Sequence, residues 1–347
     1  MPGKGLEKGG GVRRGKRTFP QKVFSPSSST DPYWEQNKII TEKRIFFQIM
    51  PDKPNNRKKL FIAQPHGFCN GVRRALKCVE DLLPEHAGRV YVYNEIVHNS
   101  FVVNKLKKSG VSFTRNLDAI PPDSIVVWSA HGIPPQLAAE AREKNLQTVD
   151  ATCPLVQKVH DLAREHSAAG DVVIFIGHQN HPETVGVLGC GNILPVSTIE
   201  DCRKLPELSP ERKVTVLTQT TLCWGDVEKI IGKLKERYKN LHLLSGICYA
   251  TSERQQAVKE LIKNFHAEYI LVIGSPNSSN SRRLCETAKN CGAQARLIDD
   301  PQEIAALEFA NVERLGLTAG ASAPETLLEQ AVNILKEKHG FDLCEVK

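Results

Sequence analysis

From residue 59 onward the chain repeats one pattern, and that pattern leaves few folds open. A short, nearly unbroken apolar run leads into a polar loop, and the loop leads into a segment with apolar residues at helical spacing. KLFIAQ precedes GVRRALKCVEDLL, IVVWSA precedes PPQLAAEAREKN, and KVTVLTQT precedes VEKIIGKLKERY. DVVIFIGH, AEYILVIG and RLGLTAG are further runs of the same kind. A strand that is apolar on both sides must be covered on both sides, and parallel neighbours need helical crossovers. The expectation is an α/β protein with parallel sheets. Ligands of such sheets gather outside the carboxyl ends of the strands, so the polar loops after these runs are where a site belongs.

Three of those loops place a cysteine where strand turns into helix. AQPHGFCNGV holds Cys69, VDATCPLV holds Cys153 and LSGICYATSERQQAV holds Cys248. The separations, 84 and 95 residues, are each about one small α/β unit. This divides the chain into units 59–147, 148–242 and 243–338, with a basic leader over 1–58 and a short tail over 339–347. A single cysteine of this kind is most simply a small buried hydrophobe. Three at equivalent joins can also converge on one point as a metal or cluster site with a position left open. The long separations exclude zinc fingers, which need close ligand pairs, and compact ferredoxin-type cysteine runs. A [4Fe–4S] cluster on three thiolates, with one iron open to a substrate oxygen, is compatible with the spacing. Cys78, Cys190, Cys202, Cys223, Cys285, Cys291 and Cys344 lack these cues and read as packing residues.

Composition narrows the functional classes. Residues 1–58 carry 13 Lys and Arg against 5 Asp and Glu, a balance of +8, whereas the remaining 289 residues sum to −1. The basic character therefore belongs to the leader, and a nucleic-acid-binding body is not expected, because such a body carries its own patch. No apolar run approaches the roughly 20 residues of a membrane span. Ten cysteines without a secretion signal point to a reducing compartment, the cytoplasm. The leader, Gly-rich and then Ser-rich, reads as flexible. A plastid destination is the alternative if it is a transit peptide.

The same loops hold polar residues of three kinds. NEIVHNSFVV holds His98, WSAHGIPP holds His131, and IGHQNHPETVG holds His178 and His181. Imidazoles there can hold an anion, ligate a metal or move protons. Glu183 follows His181 by two residues and could serve as a general acid if burial lifts its pKa. The same His–x–Glu spacing resembles a zinc-hydrolase fragment, although no PCxxC or second close His pair accompanies it. TQTT (218–221), SPNSSNS (275–281) and TAGASAPE (318–325) end apolar runs and open helices. Each alone reads as helix capping; together they suggest an anion such as a diphosphate. No nucleotide fingerprint occurs.

AQPHGFCNGVRRAL, NEIVHNSFVVNKLKKSGVSF, SAHGIP, DATCPLVQKVH, IGHQNHPETVGVLG, TQTTL, ICYATSERQQAV, GSPNSSNSRRL and TAGASAPETLL follow one another across residues 60 to about 338. In that order they closely resemble the 4-hydroxy-3-methylbut-2-enyl diphosphate reductases, the last enzymes of the non-mevalonate isoprenoid pathway. The resemblance implies three α/β units in a trefoil around one central [4Fe–4S] cluster. It implies removal of an allylic hydroxyl with two electrons and two protons, giving isopentenyl and dimethylallyl diphosphate. It further implies Cys69, Cys153 and Cys248 as cluster ligands, and Glu183 as proton donor acting through Thr220. His98, His131, Ser278, Ser279, Asn280 and Ser322 would cradle the diphosphate, with His181 near the substrate's carbon chain and diphosphate. A ferredoxin or flavodoxin would supply electrons, and the enzyme would be a monomer or homodimer, with no nucleic-acid or membrane partner. Departures from the family pattern (Ser245-Gly246, Cys223-Trp224, the long leader and the short tail) touch none of these positions. The competing expectations are a zinc-dependent hydrolase using His181 and Glu183, and a basic binding protein driven by the leader.

Overall fold

A computed structural model describes residues 58–345, so the expectations for the leader over residues 1–57 lie outside the described residues. In chain order the described part begins with β1 (Lys58–Ile62), α1 (Asn70–Glu80), the single turn α2 (Leu83–His86), β2 (Val90–Tyr93), α3 (Ser100–Lys108) and β3 (Ser112–Thr114). There follow β4 (Ile125–Trp128), α4 (Pro135–Glu143), β5 (Gln147–Asp150), α5 (Pro154–Ala168), β6 (Val172–Ile176), α6 (Pro182–Leu188), β7 (Ile193–Val196) and β8 (Val214–Thr218). The rest is α7 (Trp224–Arg237), β9 (Leu241–Leu244), α8 (Tyr249–Phe265), β10 (Tyr269–Ile273), α9 (Ser279–Asn290), β11 (Gln294–Ile298), β12 (Arg314–Ala319), α10 (Glu325–His339) and β13 (Phe341–Cys344). No helix among the described residues is long and apolar enough to cross a membrane.

The strands form three sheets, and every pairing among them is parallel. Their orders are β3-β2-β4-β5, β7-β6-β8-β9 and β11-β10-β12-β1-β13. The first four positions of all three follow one rule. The chain starts on an inner strand, steps outward, then crosses back to the far side of the inner strand. Strand order thus reverses between β2 and β4, between β6 and β8, and between β10 and β12. Each reversal opens a crevice at the carboxyl ends of those two strands, where ligands of open α/β sheets bind. The reason these strands are central is visible in burial. β4, β8 and the last four residues of β6 and β10 are buried throughout, as strands covered on both faces must be.

Two placements differ from the sequence reading. KLFIAQ is expected to open the first unit, yet β1 pairs with β12 and β13 in the third sheet, with Leu60 opposite Leu315 and Lys58 opposite Phe341. It fills the place there that β5 and β9 fill in the other two sheets. The sequence ties a strand to the helix that follows it, whereas its hydrogen bonds here go to segments 255 and 283 residues away. The tail beyond 338 is likewise an edge strand. Phe341 is 1% exposed, packed in the third core against Leu60, Leu335 and Phe309, with the Phe309 ring 5.6 Å away edge-on.

Replacing Phe341 with Ala removes a fully buried ring. It is expected to cost about 3–4 kcal/mol of unfolding free energy, read from the denaturant midpoint at unchanged m. A loss below about 0.5 kcal/mol, the scale of a surface substitution, would show that the tail does not belong to the core.

Candidate active site

Six loops leave the six strands that flank the three reversals, and all of them carry residues singled out by the sequence. β2 leads to His98 and β4 to His131. β6 leads to His181 and Glu183, and β8 to Thr220. β10 leads to Ser278, Ser279 and Asn280, and β12 to Ser322. The cysteines come from a different set of connections. Each sits between the fourth strand of one sheet and the first helix of the next: β1–Cys69–α1, β5–Cys153–α5 and β9–Cys248–α8. All twelve predicted residues line one cavity of about 110 Å³.

The three cysteines occupy equivalent positions down to the backbone. Each is the N-cap residue of its helix, with ψ between 132° and 165°, and none uses its side chain to cap. Each backbone N–H donates to the carbonyl at the exit of the neighbouring third strand: Cys69 to Ala321 (3.1 Å), Cys153 to Ala130 (3.0 Å) and Cys248 to Thr220 (2.9 Å). The thiols are thereby presented to the cavity at three helix N-termini, where unpaired N–H groups and the helix dipole favour an anion. Burial pushes the Cys153 and Cys248 thiols up. The amides of Leu155 and Val156 pull Cys153 back, and those of Ala250 and Thr251 do the same for Cys248. Gly71 keeps the space between two of the thiols clear: a Cβ there would stand 2.6 Å from Cys153 Sγ and 3.9 Å from Cys69 Sγ.

Glu183 is 1% exposed, and both of its oxygens are held by one residue. Thr220 N donates to Oε1 at 2.8 Å and Thr220 Oγ1 to Oε2 at 3.0 Å. Burial raises its pKa to about 7 from the ordinary 4.5, because the two Thr220 hydrogen bonds compensate only part of the lost hydration. The group therefore holds a proton near neutral pH, which is what a general acid requires.

His98, His131 and His181 form a tight trio. His98 and His131 stack at 4.1 Å between ring centres, and His181 stands edge-on to both at 5.3 and 5.6 Å. Burial first, then the neighbouring imidazoles, holds His131 well below the ordinary histidine range. Burial, His98, His178 and Arg282 hold His181 at about 3. Both are neutral. His181 caps its own helix, with Nδ1 accepting the Glu183 N–H at 3.2 Å, so its proton sits on Nε2. His98 gives Nδ1 to Glu95 at 2.9 Å, and its Nε2 is buried without a partner. Asn280 is also buried, and neither its Nδ2 nor its Oδ1 has a partner. Orphaned polar atoms on a cavity wall mark where a polar ligand completes the hydrogen bonding.

The remaining hydroxyls tie the walls together. Thr221 Oγ1 donates to Ser279 Oγ at 3.0 Å, Ser278 caps α9 through the Ser281 N–H, and Ser281 Oγ donates to Ser278 Oγ at 3.0 Å. Ser322 lines the cavity, but its proton goes to the His98 carbonyl at 2.8 Å, so it holds the histidine loop. His178 donates its N–H to Gln219 Oε1 and faces a larger outer cleft of about 1000 Å³ that shares His98, His181 and Ser279 with the inner cavity.

Sequence reasoning missed Arg254, which is 4% exposed and reaches Ala250 O at 2.8 Å and Gly67 O at 2.7 Å. Its charge lies close enough to Cys69 and Cys248 to offset negative charge on either. The signal was present: residues 250, 254, 257, 258 and 261 make one helical face, and Arg254 is the only charge on it. Glu95 and Asn277, described below, were missed because their contact joins residues 182 apart.

The family model of the LytB protein matches residues 60–336. The chain belongs to the LytB family. Its LytB relatives include the 4-hydroxy-3-methylbut-2-enyl diphosphate reductase of Actinobacillus pleuropneumoniae serotype 7 (strain AP76), 45% identical over 284 residues, which are 80% of this chain and 90% of that protein. The reductase of Haemophilus influenzae (strain PittEE) is 44% identical over 285 residues, with the same coverage. Among solved structures, the E-1-hydroxy-2-methyl-but-2-enyl-4-diphosphate reductase of Plasmodium falciparum aligns with a TM-score of 0.79 at 34% identity, covering 83% of this chain and 91% of that one. A second, titled as (E)-4-hydroxy-3-methyl-but-2-enyl diphosphate reductase, the terminal enzyme of the non-mevalonate pathway, aligns at 0.59 and 34%, covering 81% and 99%.

The raised carboxyl has a signed pH dependence. Its folded pKa exceeds the unfolded one, so the stability it contributes is complete below about 4.5 and is lost as pH rises through about 7. Infrared difference spectra should show a buried carboxylic-acid C=O band at pH 6 that fades above pH 7 and is missing in Glu183→Gln. A band already absent at pH 5 would mean that burial does not hold the proton.

Proposed function

We propose that this chain reduces (E)-4-hydroxy-3-methylbut-2-enyl diphosphate to isopentenyl and dimethylallyl diphosphate, using a [4Fe–4S] cluster on Cys69, Cys153 and Cys248. The observation that carries the reading is the single cavity on which three thiols at helix N-termini, a protonated carboxyl and orphaned imidazole and amide groups all meet. The thiols fit a cluster by chemistry and by placement: three soft donors, three helix N-termini, and a glycine where a side chain would intrude. When bound, the cluster supplies the two electrons, delivered by a ferredoxin or flavodoxin.

The chain's own groups do the rest. Buried neutral His131 and His181, with His98 and the Ser278–Asn280 loop, hold the diphosphate end. Ser322 and Thr221 fix the loops that present them. The allylic hydroxyl then lies toward Thr220 and Glu183. Thr220 Oγ1 turns its own proton to the leaving hydroxyl and takes the Glu183 proton in its place, the C–O bond breaks, and the hydroxyl leaves as water. Two electrons enter the allyl system, and a second proton adds at one end or the other, which accounts for two products. The dry walls keep these hydrogen bonds strong and preorganised. Position, from the cradle, and protonation, from Glu183, are separate contributions.

A zinc-hydrolase reading finds no support. His181 Nδ1 is taken by its own helix, Glu183 is held by Thr220, and among the described residues no three His, Cys, Asp or Glu side chains are grouped to hold a single ion.

Serine at position 69, 153 or 248 should abolish activity and lower the iron and sulfide of anaerobically purified protein. Protein that holds zinc and no sulfide would sink the proposal. Glu183→Gln should retain the metal and bind substrate but lose roughly 100-fold or more in kcat, the usual scale for a lost general acid. Near-native turnover would refute its role.

A further inference from the structure

We propose that Glu95 is a positioning residue that makes His98, alone among the three cavity imidazoles, the cationic hydrogen-bond donor to the diphosphate. The proposal rests on the diphosphate reading of the cavity and deepens it. Among the described residues, only one member of the trio touches a carboxylate. Glu95 Oε2 receives both His98 Nδ1 (2.9 Å) and Asn277 Nδ2 (2.7 Å). A carboxylate only accepts, so Nδ1 carries the proton, and Nε2, on a ring that lines the cavity, is buried and unpartnered. A neutral ring in that orientation would meet a phosphate oxygen with a lone pair. A second proton on Nε2 converts the clash into a charge-assisted hydrogen bond.

The groups facing His98 leave no other candidate. His131 lies against it at 4.1 Å and has only Ser129 Oγ, at 3.4 Å, near its Nδ1. His181, 5.3 Å away, has Nδ1 occupied by the Glu183 N–H. Stacked imidazoles cannot both carry charge at that distance, and the carboxylate decides which does. Arg115 donates to Asn94 Oδ1 and acts on Glu95 from outside, helping to keep it ionised. The second hydrogen bond matters too. Asn277 belongs to the loop that carries Ser278, Ser279 and Asn280, so Glu95 is aimed only when the first and third units are engaged.

The test is a double-mutant cycle on the anaerobic holoenzyme, with inorganic diphosphate as the probe and calorimetric Kd as the readout. Glu95→Ala should weaken diphosphate roughly ten-fold, the scale of one charge-assisted hydrogen bond, and raise KM alike while kcat falls less. Glu95→Gln can keep both hydrogen bonds without the charge and should lie between. In a His98→Asn background neither substitution should cost anything further, with iron content unchanged throughout. An equal loss in that background, or native affinity in Glu95→Ala, overturns the proposal. Failure of the unsubstituted protein to bind diphosphate overturns the reading of the site itself.

Discussion

Three backbone hydrogen bonds hold this molecule's chemistry in place. They run from the N–H groups of Cys69, Cys153 and Cys248 to the carbonyls of Ala321, Ala130 and Thr220. Each fastens the start of a helix to the end of a strand in the neighbouring sheet, and each does so at a cysteine. The side chain is therefore aimed by main-chain geometry, and no side-chain partner competes for the sulfur. Position follows from peptide groups that every residue has, which leaves the thiol free to be a ligand.

Around that frame the cavity sorts its titratable groups by solvation. Most polar groups here are kept uncharged by burial: Glu183 as an acid, His131 and His181 as neutral rings. The one buried arginine, Arg254, spends its donors on main-chain carbonyls, and the buried His98 ring gives Nδ1 to the Glu95 carboxylate. A cavity prepared in this way is quiet when empty and gains most from an anionic guest that completes the unpaired atoms.

What the sequence disclosed follows from burial. The six strands legible as apolar runs are β1, β4, β6, β8, β10 and β12, which lie inside their sheets and, β1 apart, are buried along nearly their whole length. Strands such as β5 and β11 alternate or stay exposed, and so lack a continuous signal. Most of the polar site residues were legible because they sit in loops directly after those inner strands; Cys153 and Cys248 follow the edge strands β5 and β9, and were legible by their place at strand-to-helix joins, and the resemblance assigned the roles. Less visible were relations between distant segments. The pairing of β1 with β12 and β13, the clasp of Asn277 on Glu95, and the sharing of Thr220 between Glu183 and Cys248 are all made across tens to hundreds of residues. Local pattern carries no record of such contacts. Arg254 is the exception, a charge on an apolar helical face that a stricter reading of period would have caught.

The pairing of β1 with β12 and β13 also sets an order of events. The sheets containing β2–β5 and β6–β9 use contiguous stretches of chain and can close as they are made. The third must keep β1 waiting, its edges unpaired, until β12 and β13 have left the ribosome. Cys69 gains its anchor at Ala321 only in that final step. On a growing chain the Cys69 thiol is the last of the three to be set, so before β12 is made the three thiols are not yet assembled around one cavity.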